Sequence, residues 1–456
     1  MVFAVTSPVL LLSPLPALGQ TRPAAPSLPD PGGAGDAEAP PALTAEEQID
    51  ELREQLKRAE DDRRKEVSRL SVNGYADIGF FAPFGNHGVG WVKDVGNMSF
   101  PAFSNYSWTF LGDILATAVN TRGEVADLGD APGIVRFDSV DSDGAAGFIV
   151  NEVNLRVGYQ IAERALLRTS VNFAPRSGRT DFSLGDVMDV DQAELEYVLT
   201  RDGGTSFFVG KTMPVFGIEY KEHKSNQRFG ITPSLIDRYT SGPQLGVKLR
   251  SKLFNDCLIL AGAISNNTST AEQFHFFSEI DKNNGKIFSG RVAVSLPIGN
   301  LLRFIEGSRL EIGGSAEGGP QDKAHNDNGD IWFAGVDLQY LSANFVLKAQ
   351  GIRGKSKGLP AENVWKLRLQ NSGFVEIDWQ FLSWLGVMGR AENRDAVVTL
   401  GLERAYITKE MRFTGGLHIV FNPHAVLKLE YLHNKEYDGV PEFKNDIFTS
   451  SLVLAF

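Results

Sequence analysis

The chain has 456 residues, a formal net charge of −11 and one cysteine. The acidic balance, with no basic cluster interleaved with aromatics, argues against a nucleic-acid partner. The lone Cys257 excludes an internal disulfide and argues against a cysteine-based metal site. The seven histidines are scattered without metal-ligand spacing, so neither a metal nor another cofactor is expected. Beyond the N-terminus no apolar run reaches about 18 residues, so no transmembrane helix is expected. Any passage through a membrane must then be as a closed barrel, because in lipid only helices and barrels satisfy their own backbone groups.

In chain order, residues 1–19 read as a signal-peptide-like segment. Val9–Leu18 is apolar, and Ala17-Leu18-Gly19 before Gln20 fits a small-x-small cleavage site. No Lys or Arg precedes the apolar core, so the expectation is a start assigned too late. Residues 20–42, rich in Pro, Ala and Gly, read as a linker with no core of its own. Residues 43–70 read as a helix. Thr44 with Glu47 forms a capping box, and Ile49, Leu52, Leu56, Ala59 and Leu70 repeat at coiled-coil spacing among charges. At 1.5 Å per residue this helix would be roughly 40 Å long. Its stripe is too narrow to stand alone, so it is expected to borrow stability from the domain behind it.

From Ser71 the helical period gives way to short segments that alternate between polar and apolar residues. The last stretch sets the frame. Phe448, Ser450, Leu452, Leu454 and Phe456 share one face, while Thr449, Ser451, Val453 and Ala455 share the other. A chain ending on an apolar, aromatic-tipped strand suits the closing strand of an outer-membrane barrel, whose terminal ring sits at the membrane interface. Phe456, Leu454, Leu452 and Phe448 are therefore candidates for the membrane-assembly signal. With Phe456 placed on the periplasmic side, strands fall at about 72–81, 149–159, 166–174, 190–199, 205–212, 243–250, 257–266, 286–296, 308–317, 331–340, 343–352, 372–381, 384–392, 411–421, 424–433 and the terminus. Tight and long connections alternate between them, as periplasmic turns and external loops do.

The expected fold is thus an all-β membrane barrel, a 16-stranded antiparallel transmembrane β-barrel over residues 71–456, preceded by the short coiled-coil helix. Residues 82–148 form one long external or lumen-folding connection. Asp113–Thr121 is set aside because it would make the count odd. An 18-stranded version would need a further strand near Phe100–Phe110.

Strand parity selects the lumen face. Its candidate pore-lining cations are Arg156, Arg168, Lys211, Lys248, Arg250, Arg291, Lys348, Arg390, Arg412 and Lys428. Opposing them are Asp77, Glu152, Glu194, Glu196, Glu311, Glu317, Asp337, Glu376, Asp378, Glu392 and Glu430. The sets balance, which suits both an internal ion-pair network and a water-filled lumen with a transverse field. The 82–148 connection is acidic and would favour cations at the mouth. Its Asp138, Asp141 and Asp143 are spaced loosely like a calcium loop but lack the closing Glu, so a solvated loop is expected there.

The run Phe208-Val209-Gly210-Lys211-Thr212-Met213-Pro214-Val215-Phe216-Gly217-Ile218-Glu219, followed by Asp237-Arg238 and Gly242-Pro243-Gln244-Leu245-Gly246-Val247, resembles the phosphate-selective porin O and P family. The resemblance implies a 16-stranded homotrimeric barrel, a helical periplasmic N-terminal segment and an aromatic C-terminus. It also implies passive diffusion of small hydrophilic solutes or ions, including anions such as phosphate. Phosphate selectivity in that family is attributed to lysines and arginines at a constriction, and the mixed charge here departs from that pattern. Lys211 is the leading candidate, since it sits in the matching motif at the mouth of the 213–242 loop. The partners implied are outer-membrane lipid, the barrel-assembly machinery and further copies of the chain, in the outer membrane of a Gram-negative bacterium. A tethering barrel without an open channel is the alternative. An enzyme is not expected, because His418, His424 and His433 lack a nucleophile setting.

Overall fold

The computed structural model describes residues 69–84, 91–94, 107–110, 146–173, 188–270, 281–300, 307–321, 324–325, 329–400, 404–438 and 446–456. The expected signal segment, linker, nearly all of the coiled coil, the Asp113–Thr121 segment and the acidic Asp138–Asp143 run lie outside them.

The described residues form eighteen strands. They are β1 (Leu70–Pro83), β2 (Trp91–Asp94), β3 (Ser107–Phe110), β4 (Gly147–Ala162), β5 (Ala165–Phe173), β6 (Met188–Val198), β7 (Thr205–Thr212), β8 (Gln244–Leu253), β9 (Leu258–Ser265), β10 (Ile287–Pro297), β11 (Arg309–Pro320), β12 (Asp330–Leu341), β13 (Phe345–Ser356), β14 (Lys366–Trp379), β15 (Leu385–Leu400), β16 (Arg404–Asn422), β17 (Ala425–Glu436) and β18 (Ile447–Ala455). Sixteen of them close a single antiparallel barrel in which every strand pairs with its sequence neighbour, and β1 seals the ring by pairing with β18. Closure leaves no sheet edge, so each backbone N–H and C=O in the wall finds a partner without water.

Only β2 and β3 stand apart, as a two-stranded ribbon. The strand at 107–110 therefore does not enter the wall, and the 18-stranded alternative is set aside. The reason is pairing: β1 runs directly alongside β4, from Leu70 opposite Tyr159 to Phe81 opposite Gly147, leaving no gap for another strand.

The alternation read from the sequence is physical. In β10, Ile287, Ser289, Arg291, Ala293 and Ser295 are buried, while Phe288, Val292, Val294 and Leu296 are exposed on the outside. In β18, Thr449, Ser451 and Val453 point in, while Leu454 and Phe456 remain exposed. Buried here means turned into the lumen. Exposed apolar residues cover the outside, as a lipid-facing surface requires. The seam is clamped at its end, where Gly74 and Phe456 exchange backbone hydrogen bonds of 3.1 and 3.0 Å. Gly74 cannot be enlarged, since a Cβ there would lie 2.2 Å from the Asn154 carbonyl oxygen.

One connection is shorter than the sequence suggests. The segment 393–409, expected as a long loop, is mostly strand: β15 and β16 stay paired up to Leu400 opposite Arg404. The β-branched run Val397-Val398-Thr399 favours extended backbone and carries the hairpin onward.

Candidate channel constriction

The chain between β7 and β8 does not rise outward as an ordinary external loop. It turns into the barrel, and most of its residues are buried. The turn is set by Gly217, whose φ of 70° is open to glycine and costly for other residues. Its N–H donates to the Ser315 hydroxyl at 3.0 Å, and the next N–H, of Ile218, donates to the Gln350 side-chain oxygen at 2.8 Å. Phe216, Ile218, Ile231, Leu235 and Ile236 are all buried. An external loop would have no use for five such side chains.

The loop is then tied to wall strands on several sides. Lys221 pairs with Glu311 of β11 at 3.1 Å, and Glu222 with Lys348 of β13 at 2.6 Å. Lys224 and His223 meet Asp191 of β6, and the Ser225 hydroxyl donates to Glu152 of β4 at 3.2 Å. The Arg156 guanidinium donates to the Asn226 side-chain oxygen at 3.2 Å. Phe229 stacks on His418 of β16, with ring centroids 4.3 Å apart. Lys428 of β17 donates to the carbonyls of Ser225, Arg228 and Gly230, at 2.5, 2.6 and 3.0 Å. Two residues on, the Glu430 carboxylate accepts from the N–H of Ile231 and from the N–H and hydroxyl of Thr232. Arg390 of β15 donates to the carbonyls of Thr232 and Pro233 at 2.9 and 3.1 Å. The wall thus supplies the hydrogen bonds that a segment with only two short 3-10 turns, Glu219–Glu222 and Asp237–Tyr239, needs once it is buried.

A second set of charges is knitted within the wall. Arg291 binds Asp337 and, at 2.9 Å, Glu311. Lys348 reaches Glu376 and Asp378 at 2.5 and 2.9 Å, and Arg390 joins Glu376 and Glu392 at 3.0 and 3.1 Å. Arg412 lies 3.5 Å from Glu410. These groups are buried, so they hold one another and the loop; they are framework, since a buried charge persists only when paired.

The wall from β4 to β8 differs. Arg168 contacts Glu194 at 3.2 Å and Glu196 at 2.5 Å, and Arg250 reaches Glu196 at 3.5 Å. The Arg168 and Arg250 side chains are 40% and 44% exposed, but those of Glu194 and Glu196 only 2% and 9%. The loop carries both senses: Lys221 is 37% exposed over a Glu311 that is 9% exposed, whereas Glu222 is 31% exposed over a Lys348 that is 5% exposed. On β5 and β8, cations stand in the open lumen in front of recessed carboxylates. Lys248 sits nearby, 4.5 Å above the Phe208 ring, and donates to the Met213 carbonyl at 2.8 Å, which pins the start of the loop.

Of the pore-lining candidates, Arg156, Arg168, Glu196, Lys248, Arg250, Arg291, Asp337, Lys348 and Arg412 all turn inward. Lys211 is the correction. It pairs with Ala193 and Leu245, so it shares a face with the exposed Val209 and Val247 on the outside of the barrel. Counting by twos along β7 from the buried Ser206 and Phe208 leads to Gly210 and Thr212, not to Lys211. The sequence reading also missed Lys221, Glu222 and Asn226. The signal that marks them is the apolar content of their loop.

Glu219 lies on this loop, outside the wall strands. It accepts 2.7 Å hydrogen bonds from the Ser234 N–H and hydroxyl. Burial, and then the charge of Asp237, push its carboxyl up from 4.5 to about 8, against the hydrogen bonds from Ser234 and the charge of Arg390. A carboxyl raised by folding favours the seated loop while it stays protonated. That contribution is full below about pH 4.5 and is lost as pH rises towards 8. Single-channel recordings between pH 5 and about 9 should therefore show the current growing noisier with pH, and Glu219→Gln should flatten that dependence. Equal pH dependence in both proteins would remove Glu219 from the latch.

No family model matches the chain, and no curated protein matches it. Solved structures do. The outer membrane channel DcaP of Acinetobacter baumannii is 11% identical, with a TM-score of 0.50, over 85% of this chain and 97% of that one. Salmonella typhi OmpF in complex with daunomycin is 9% identical, with a TM-score of 0.47, over 85% and 97%. A mutant of Rh. blastica porin is 8% identical, with a TM-score of 0.41, over 85% and 100%. Identities this low speak to the fold alone. The closed 16-stranded antiparallel barrel is the fold that this chain shares with the outer membrane channel DcaP.

Proposed function

We propose that the protein is an outer-membrane porin that lets small hydrophilic solutes and ions diffuse passively, with a preference for anions. The observation that carries this reading is the unequal exposure of paired charges: Arg168, Arg250 and Lys221 face the lumen water, and their carboxylate partners sit behind them. A mobile ion feels the exposed member of each pair most strongly, because it can approach that member more closely than the recessed one. Phosphate belongs among the candidate solutes, since exposed guanidinium groups bind it through two parallel hydrogen bonds. The test is planar-bilayer recording from the folded protein. Ion current that favours chloride over potassium is expected. Folded protein without current would favour the alternative, a tethering barrel whose lumen the 213–243 loop closes.

We further propose a homotrimer whose contact face is the low side of the wall. Strands β7 and β9 have 8 residues each and β5 has 9, against 16 and 19 for β15 and β16. A lone strand of 8 is at or under the roughly 9–11 residues that span a bilayer, so this side gains from a neighbour's cover. The helix at 43–70 would lie on the periplasmic side of such an assembly. The C-terminal strand, with Phe448, Leu452, Leu454 and Phe456, serves in this reading as the signal to the barrel-assembly machinery. Phe456→Asp should abolish outer-membrane insertion, read as loss of the protein from outer-membrane fractions. Normal levels there would contradict the assignment.

A further inference from the structure

The outside of the barrel carries a cation cluster that the channel does not use. Arg353 and Lys355 on β13, and Lys366 and Arg368 on β14, are all exposed. Strand parity turns them outward: they alternate with the inward Ile352, Gly354 and Ser356 and with the inward Leu367 and Leu369. Lys355 stands directly opposite Arg368 across the two strands. Like charges so placed, with Cβ atoms about 5 Å apart, destabilise a sheet unless something negative lies between them. None of the four forms an ion pair with another described residue. Two acids share this face by register, each diagonal to one cation: Asp395, paired with Gln370, beside Arg368, and the exposed Asp330 beside Lys355.

Their height on the wall matters. The tight turns 342–344 and 380–384 mark the opposite end of these strands, and the four cations cluster beside the 357–365 connection. The exposed Trp332 lies opposite Lys355, where a ring of interfacial aromatics is expected. A charge facing lipid costs roughly 2–4 kcal/mol at mid-bilayer and close to nothing at the interface, so this is the height at which such a cluster is tolerated.

Next to the cations the outer surface is hollow. A groove of about 540 Å³ runs over Ala334, Val336, Gly351, Gly373 and Asn393, with Arg353 at its border. Register aligns Val336 with Gly351 and Gly351 with Gly373, so three neighbouring strands put almost no side chain into the space. An apolar trough ending in cations that have no ion pair among the described residues matches a lipid that carries acyl chains below and phosphate above.

We propose that this face of β12–β15 binds a phosphorylated glycolipid of the outer leaflet, with its acyl chains in the trough and its phosphates between Lys355, Arg368 and Arg353. Two phosphates are favoured over one. Four cations spread over two strands exceed what a single phosphodiester, with one negative charge, neutralises, and a bis-phosphorylated sugar headgroup spans both rows. The orientation rests on the outer-membrane reading given above.

The test is native mass spectrometry of the full, folded protein in detergent, titrated with bis-phosphorylated lipid A, with its dephosphorylated form and with phosphatidylglycerol. Wild-type protein should bind the bis-phosphorylated lipid about ten-fold more tightly than either of the others. The double variant Lys355→Gln, Arg368→Gln should lose about that factor, with unchanged heat-dependent gel migration and unchanged single-channel conductance. Equal binding of all three lipids, or undiminished binding by a folded variant, would overturn the proposal. Wild-type protein that binds the lipid but passes no current would instead count against the channel reading alone.

Discussion

Changing Lys428 to Met and Glu430 to Leu together should raise single-channel conductance several-fold. These two side chains hold the loop more tightly than any other pair of neighbours in the wall. Lys428 spends its ammonium on three loop carbonyls, and Glu430 spends its carboxylate on two N–H groups and a hydroxyl. Both are almost fully buried. Each buried backbone group left unsatisfied costs about 1–3 kcal/mol, so orphaning several at once exceeds what the remaining contacts along 225–232 are expected to return. The barrel itself should survive. The β16–β17–β18 ladder is backbone hydrogen bonding, and neither substitution touches it. The expected record is larger, noisier openings from a protein whose unheated gel mobility is unchanged. Unchanged conductance would mean that Arg390, Lys348 and the apolar side chains hold the loop without these anchors.

The second large effect concerns charge selection. Arg168→Gln with Arg250→Gln removes the exposed cations in front of Glu194 and Glu196 and leaves two carboxylates against the single, half-buried Lys248. The anion-to-cation permeability ratio should fall from above unity to below it, read as a change in sign of the reversal potential in a potassium chloride gradient. The change should be largest near 0.1 M salt, where charges act over about 10 Å, and small at 1 M, where they act over about 3 Å. Lys211→Glu supplies the contrast. Its side chain belongs to the outer face, so the ratio should not move. A shift with Lys211 and none with the two arginines would reverse the assignment of lumen and lipid faces on β7.

The wall was legible because its physics is local. Lipid on one side and water on the other impose a period of two on every strand, and the difference between tight and long connections orients them. That is why Leu454 and Phe456 could be placed on one face of the last strand, Thr449, Ser451 and Val453 on the other, and Asp337 inside, from the sequence. The constriction was not legible in the same way. Its contacts join residues far apart in the chain, such as Ile231 and Glu430 or Ile218 and Gln350, and no short window contains both partners. Expectation of a lumen insert fell on 82–148 because that connection is long. Most of 82–148 lies outside the described residues; in the 213–243 segment the guide is composition, since Phe216, Ile218, Ile231, Leu235 and Ile236 are too apolar for a solvated loop. Lys211 failed for a narrower reason. A family motif suggested a role, whereas a count of two along β7 from Phe208 fixes the face.

The anchoring of this loop also sets an order of events. Residues 225–232 leave the ribosome about two hundred positions before Lys428 and Glu430, the groups that hold them. Those groups ride on β17, the next-to-last strand, and β18 must still pair with β1 before the ring is sealed. Until then the loop lacks its strongest tethers. Bringing together such distant parts of a chain is slow compared with forming hairpins between neighbouring strands. Narrowing of the passage is therefore a late step that accompanies sealing of the wall, and a partly built barrel is wider inside than the finished one.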